Sequence, residues 1–155
     1  MKEHFPELYL ENQLCFPLYA TSRLTTKVYA PFLKELDLTY PQYLVLLALW
    51  QNDGQSVNSI GERLFLESNT LTPLLKRLEK KKLIKRSRSK QDERTVIISL
   101  TAAGDQLKHE ARKIPKQIID SFHDSTLTEK EIIQFQKVLF KLLSTLNSKT
   151  NVGID

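Results

Sequence analysis

Apolar residues recur along this chain at two periods, and the change from one to the other marks out its parts. Leu14, Leu18, Leu24, Val28, Phe32 and Leu36 stand mostly at helical spacing, which predicts a long first helix with Asn12 as its cap and a kink at Pro31 near its end. Thr39 followed by Pro41 opens a second helix, because an early-turn proline has no helical hydrogen bond to lose. Tyr43 to Trp50 is apolar nearly all round, so that helix should be buried. Asn52-Asp53-Gly54 is a turn, and Ser56 or Asn58 then caps a short helix holding Ile60 and Leu64. The next helix, about residues 68–81, places Leu71, Leu74, Leu75 and Leu78 at i, i+3, i+4 and i+7 and so turns them inward. After Leu83 the period falls to two. Ile84 to Ser89 and Thr95 to Leu100, joined by Lys90-Gln91-Asp92-Glu93-Arg94, predict a hairpin with one packed face (Val96, Ile98, Leu100) and a charged tip. Thr101 caps a helix running through Leu107, Ala111, Ile114 and Ile118. Thr128 and Glu131 then form a capping box ahead of a last helix striped by Ile132, Phe135, Leu139, Leu142 and Leu146.

These elements predict a mainly α protein: a winged helix-turn-helix over residues 39–100, with a recognition helix at about 68–81 and a two-stranded β wing at 84–100, flanked by long N- and C-terminal helices. The flanking helices, residues 10–37 and 101–147, bury little if left alone and are expected to make a homodimer. At 155 residues and 41% hydrophobic content the chain can bury one sizeable core, and no Pro/Gly/Ser-rich linker divides it, so a single domain over 1–155 is expected.

Charge gives this fold a function. From Lys76 to Arg94 ten Lys or Arg face three acids (Glu79, Asp92, Glu93), a local net of +7, leaving −2 for the rest of a chain whose total is +5. A patch of one sign attracts a polyanion and releases its counterions, so this face should bind double-stranded DNA in a salt-dependent way. A Lys-rich run taken alone reads equally as a solvated helix face. On the helix side away from the leucines, Thr70, Thr72 and Pro73 mix with Lys76, Arg77 and Lys80, offering polar groups for base edges and cations for phosphates. Two recognition helices of a dimer, one DNA turn apart, would read a palindromic operator.

Other classes find little support. The single cysteine, Cys15, excludes an internal disulfide or a cysteine-based metal cluster, and His4, His109 and His123 are too scattered to form a ligand set, so no metal or cofactor is expected. Four glycines build no phosphate loop, and there is no nucleophile elbow. The N-terminus lacks a basic stretch followed by an apolar run, and no apolar segment approaches the roughly 18 residues of a membrane span, which predicts a cytoplasmic protein without membrane contact.

Leu71-Thr72-Pro73-Leu74-Leu75-Lys76-Arg77-Leu78-Glu79, the wing motif Asp92-Glu93-Arg94 and Leu100-Thr101-Ala102-Ala103-Gly104 together resemble the MarR family of transcription regulators over roughly residues 10 to 147. Gln13-Leu14-Cys15-Phe16 with Leu18-Tyr19, and Leu38-Thr39-Tyr40-Pro41-Gln42-Tyr43, narrow the resemblance to its OhrR-like, one-cysteine, organic-hydroperoxide-sensing branch and the staphylococcal relatives of that branch. The resemblance implies a regulator, by the family's habit a repressor, that leaves its operator when Cys15 is oxidised. It carries the DNA contacts onto Ser68, Asn69, Thr70, Thr72, Pro73, Lys76 and Arg77 and the minor-groove arginine onto Arg94. Asp92 supports the wing or is simply a turn residue. Arg86 and Arg88 on the first wing strand are assigned to phosphate, and Lys90 at the tip joins the DNA-binding set.

By itself a lone cysteine in an apolar helix is more often a small core residue than a sensor; the resemblance reverses that reading. A sensing thiol must ionise, and a helix N-terminus favours the thiolate. By resemblance, Tyr29 and Tyr40 of the partner subunit donate hydrogen bonds to it, with Tyr19 close by. The alternative for each tyrosine is an interface aromatic. Phe16 and Trp50 are candidates for an apolar pocket that prefers organic peroxides. Pro17 departs from the family pattern, so either the helix starts near Cys15, the reading preferred here, or it starts at Asn12 and is kinked. Without a resolving thiol, oxidised Cys15 would end as a mixed disulfide with a small thiol, a sulfenamide or an overoxidised acid, the first being the expected product. Three rival functions remain. One is a MarR-type repressor released by a small aromatic ligand, with Cys15 a bystander. A more remote one is a thiol peroxidase, and the third is an architectural DNA-binding protein without a switch.

Overall fold

The computed structural model describes residues 4–122 and 127–151, which leaves His123 outside the described residues. The chain forms two compact units, Met1–Pro115 and Lys116–Asp155.

In the first unit two 3-10 turns, Pro6–Leu8 and Leu10–Asn12, precede helix α1 (Cys15–Glu35). Asn12 is therefore not the cap it was expected to be. Its amide donates to the Pro6 carbonyl at 2.6 Å, and the Gln13 amide donates to the Glu7 and Tyr9 carbonyls, so these turns close on themselves. Pro17 is the physical reason for the later start. As the third residue of α1 it stands where a first-turn N–H would have no helical acceptor, so the proline costs the helix nothing there. Pro31 lies within α1, which continues to Glu35.

Helix α2 (Tyr40–Gln51) opens on the expected signal: the Thr39 N–H donates to the Gln42 side chain at 3.0 Å in a capping box, with Pro41 in the first turn. It is the core helix, with Tyr43, Val45, Leu46, Ala48 and Leu49 all 3% exposed or less. After the Gly54 turn, the two-residue strand β1 (Gln55–Ser56) leads into α3 (Val57–Leu64), capped by the Ser56 hydroxyl accepting from the Ser59 N–H at 3.0 Å. The turn to α4 (Ser68–Lys80) runs through Phe65 at φ 54°, and the Leu66 N–H closes it on the Gly61 carbonyl at 2.9 Å. Of the four leucines expected to turn inward, Leu71, Leu75 and Leu78 of α4 are buried and Leu74, at the edge of the stripe, is half-buried.

Strands β2 (Ile84–Arg88) and β3 (Val96–Leu100) form the expected hairpin, but the sheet has three strands, in the order β1-β3-β2, all antiparallel. The extra strand is too short to show a period. It is fixed from outside, by pairing Gln55 with Ile98 and by the Asp53 carboxylate accepting the Leu100 N–H at 2.8 Å. Of the hairpin's expected apolar face only Ile98 is fully buried; Val96 and Leu100 are half-buried.

Thr101 caps α5 (Ala102–Ala111) through the Gly104 N–H at 3.1 Å. Gly104 is obligatory here: a Cβ would lie 1.9 Å from the Leu83 carbonyl oxygen, and its own carbonyl accepts the Trp50 indole N–H at 2.9 Å. The helix expected to run on through Ile118 stops at Ala111, and α6 (Ile114–Asp120) begins afresh. Pro115 explains the break, since its ring would collide with the carbonyl four residues back, that of Ala111.

In the second unit, α7 (Glu129–Asn151) has the capping box read from its sequence, with Thr128 N–H to Glu131 at 2.8 Å and Glu131 N–H to Thr128 Oγ1 at 3.3 Å. Along it Ile133, Phe135, Val138, Phe140, Leu143 and Leu146 are 40–64% exposed. No helix among the described residues is long and apolar enough to cross a membrane.

Candidate DNA interface and thiol site

Because α4 commits Leu71, Leu75 and Leu78 to the core, its other face is free. Ser68, Asn69, Thr70, Pro73, Lys76 and Arg77 are exposed there and Thr72 is half-buried. Beside it the wing brings Arg86, Arg88, Lys90 and Arg94, all exposed. Eleven residues expected to meet DNA are thus displayed by one helix and one hairpin that pack together.

The wing tip is organised by its own side chains. The Ser89 hydroxyl accepts the Gln91 and Asp92 N–H groups at 3.2 and 3.4 Å, and Arg88 donates to the Glu93 carbonyl at 3.0 Å. Asp92 accepts the Arg94 backbone N–H at 3.0 Å and the Thr95 hydroxyl at 2.8 Å. These bonds, that from Arg94 first and that from Thr95 second, hold its carboxyl below the ordinary aspartate value. Asp92 therefore grips the backbone at Arg94 and leaves the guanidinium untouched.

Between α4 and the wing lies a groove of about 310 Å³ lined by Ser56, Asn58, Thr72, Arg86, Arg94 and Thr95, with Leu75, Val57 and Val96 as its apolar wall. Ser56 and Asn58 were read from the sequence only as helix caps. No local pattern could have placed them beside the wing, because the sheet brings them there. Glu79 was also missed: its carboxylate accepts from Arg86 Nε at 2.8 Å, across the turn that separates α4 from β2.

Cys15 is the first residue of α1 and is exposed. Its sulfur thus stands at the positive end of the helix dipole, where an anion is favoured. One turn on, Tyr19 is 60% exposed, its hydroxyl accepting from Arg23 at 3.3 Å and its ring facing the same guanidinium at 5.6 Å. Tyr29 and Tyr40 form a separate cluster between α1 and α2. Their rings meet edge to face at 4.9 Å, Tyr43 follows at 6.2 Å from Tyr29, and Trp50 at 6.2 Å from Tyr43. Burial raises the Tyr29 and Tyr40 hydroxyls above the ordinary tyrosine value, with the neighbouring Tyr40 adding to the effect at Tyr29, so both remain protonated donors at neutral pH. One protomer does not gather cysteine and tyrosines: Cys15 and Tyr29 lie on one continuous helix, about 21 Å apart at 1.5 Å rise per residue. Nor does it gather Phe16 with Trp50. Phe16 stays on the exposed first turn of α1, whereas Trp50 lines a cavity of about 370 Å³ with Tyr43, Leu47, Ala111 and Pro115, rimmed by Lys108, His109 and Arg112.

The chain is similar to known transcription regulators. The family model described as "Transcriptional regulator SarA/Rot" matches residues 27–111. The organic hydroperoxide resistance transcriptional regulator of Bacillus subtilis is 48% identical over 96% of this chain and 99% of its own length. The HTH-type transcriptional regulator SarZ of Staphylococcus haemolyticus is 43% identical, over 83% of this chain and 86% of its own. Among solved structures, AbfR of Staphylococcus epidermidis, reduced and bound to DNA, matches at 41% identity and TM-score 0.76 over 91% of this chain and 94% of its own. The same regulator overoxidised, also bound to DNA, matches at TM-score 0.69 over 88% and 94%.

Proposed function

The chain belongs to the MarR-type transcription regulators, in the redox-sensing branch that holds the hydroperoxide resistance regulator, SarZ and AbfR, and on that premise we propose that it is a homodimeric cytoplasmic repressor, not an enzyme, that releases a palindromic operator when Cys15 is oxidised. The observation that carries the reading is the place of Cys15: exposed, at the dipole-positive start of α1, in a chain nearly half identical to a hydroperoxide-resistance regulator.

In the bound state Ser68, Asn69, Thr70, Thr72, Pro73, Lys76 and Arg77 of α4 meet the major groove. Arg94 reaches the minor groove on a wing turn held by Asp92, and Arg86, Arg88 and Lys90 meet phosphates. The Cys15 thiolate attacks an organic hydroperoxide oxygen. The O–O bond breaks, the alkoxide leaves and takes a proton as the alcohol, and sulfur is oxidised to the sulfenic acid. Tyr29 and Tyr40 of the second copy donate hydrogen bonds to the thiolate, a role supported by their protonated hydroxyls and by a distance along α1 that no single protomer can close. Tyr19 stands beside the thiol. A small cellular thiol then displaces the sulfenic hydroxyl, giving a mixed disulfide and water. Since a related regulator has been solved on DNA while overoxidised, acid formation alone is a weak release signal, and the bulkier adduct is favoured. Its bulk between the protomers shifts the spacing of the two recognition helices, which the half-sites hold fixed.

The test is operator affinity, for wild type and Cys15→Ser, before and after an equimolar organic hydroperoxide with a small thiol. Loss of binding in the wild type alone is expected; equal retention in both removes Cys15 as the switch. The cavity beneath Trp50, apolar with Lys108 and Arg112 at its rim, favours a second reading in which a small aromatic acid releases DNA. Release by such an acid in Cys15→Ser would establish it.

A further inference from the structure

The groove between α4 and the wing is walled by Asn58, Thr72, Arg86 and Arg94, and no acidic residue lines it. With Arg86 and Arg94 both among its lining residues, the concave site has a positive potential that favours an anion. Arg86 is also held. Its Nε donates to Glu79 at 2.8 Å, which leaves the N–H groups of both terminal nitrogens in the fork that grips two oxygens of a phosphate. Glu79 stands on α4 one and two turns beyond Leu75 and Thr72, on the stripe that faces the wing. Within Lys76–Arg94 it is one of three acids among ten cations, where a negative charge weakens attraction for DNA unless it serves another group.

Resting on the DNA-binding reading above, we propose that this groove seats one backbone phosphate of the operator and that Glu79 is the positioning residue that aims Arg86 into it. The sign of a single substitution decides the matter. Deleting a bystander acid from a DNA-binding patch tightens binding and steepens its salt dependence; deleting a positioning acid weakens binding.

The experiment measures affinity of wild type, Glu79→Gln, Arg86→Met and the double variant for a palindromic duplex from the protein's own upstream region, across a salt series. Thermal melting of each variant accompanies it. Arg86→Met is expected to lose about ten- to a hundredfold in affinity and to flatten the logarithmic salt slope by about 1. Glu79→Gln is expected to weaken binding by up to about fivefold, the limit for an exposed ion pair, without steepening the slope. In the Arg86→Met background the same substitution should no longer weaken binding. Tighter binding by Glu79→Gln, or weakening in both backgrounds, overturns the positioning role. An unchanged slope in Arg86→Met overturns the phosphate seat. Failure of the wild type to bind the duplex overturns the DNA-binding reading itself, and the seat with it.

Discussion

Between Thr39 and Ala111 the chain completes its own structure, whereas between Phe5 and Leu24 it does not. In the first stretch the helices α2, α3 and α5 carry caps from adjacent residues, and Val45, Leu46, Ile60, Leu71, Leu78 and Ile98 are wholly buried. In the second, Leu8, Leu14, Tyr19 and Leu24 are 75%, 76%, 60% and 58% exposed around the exposed Cys15. Apolar surface of that extent marks an interaction site rather than a finished exterior. The contrast separates a DNA-reading core that packs on itself from an apolar end that carries Cys15; on the function proposed above, a second copy covers that end, and a redox event there moves the reader without unfolding it.

The strongest way to break the comparison is inside the reader. Leu71→Ala removes a fully buried side chain from α4 and should cost about 2–5 kcal/mol of stability, read as a fall in denaturation midpoint. The same substitution at Leu14 should leave the midpoint of dilute protein nearly unchanged. Next in size, Arg94→Ala should leave the melting temperature intact and cost about 1–3 kcal/mol of operator affinity, measured by anisotropy. At the sensor end, Leu24→Glu should weaken self-association about tenfold in sedimentation while the far-ultraviolet spectrum keeps its helical form. The smallest effect is alkaline. Burial raises Tyr29 and Tyr40 above 10.0, so the unfolded chain ionises first; their contribution is whole below pH 10 and is lost as pH rises through the folded values. Tyr40→Phe should flatten that loss in urea midpoints taken between about pH 9 and 11.

Much of the reader was legible because its signals are local. The Thr39, Ser56 and Thr101 caps, the leucine spacing of α4 and the +7 patch each lie within a few turns of chain. Pro115 was equally local, and its position four residues after Ala111 could have announced the break between α5 and α6. The candidate site divides the same way. The exposed face of α4 followed from where its leucines point, while the grip of Asp92 on Arg94 depended on the turn that the hairpin adopts.

Sequence alone determined where α2, α3, α4 and α7 begin, which face of α4 is free and where positive charge gathers, since period, capping and charge are properties of neighbouring residues. Tertiary structure alone decided that Gln55 pairs with Ile98, that Glu79 holds Arg86, that Asn58 and Arg94 line one groove, and that Tyr29 meets Tyr40 far from Cys15. Those relations join residues whose spacing follows neither the helix nor the strand period, and only the packing of one element against another brings them together.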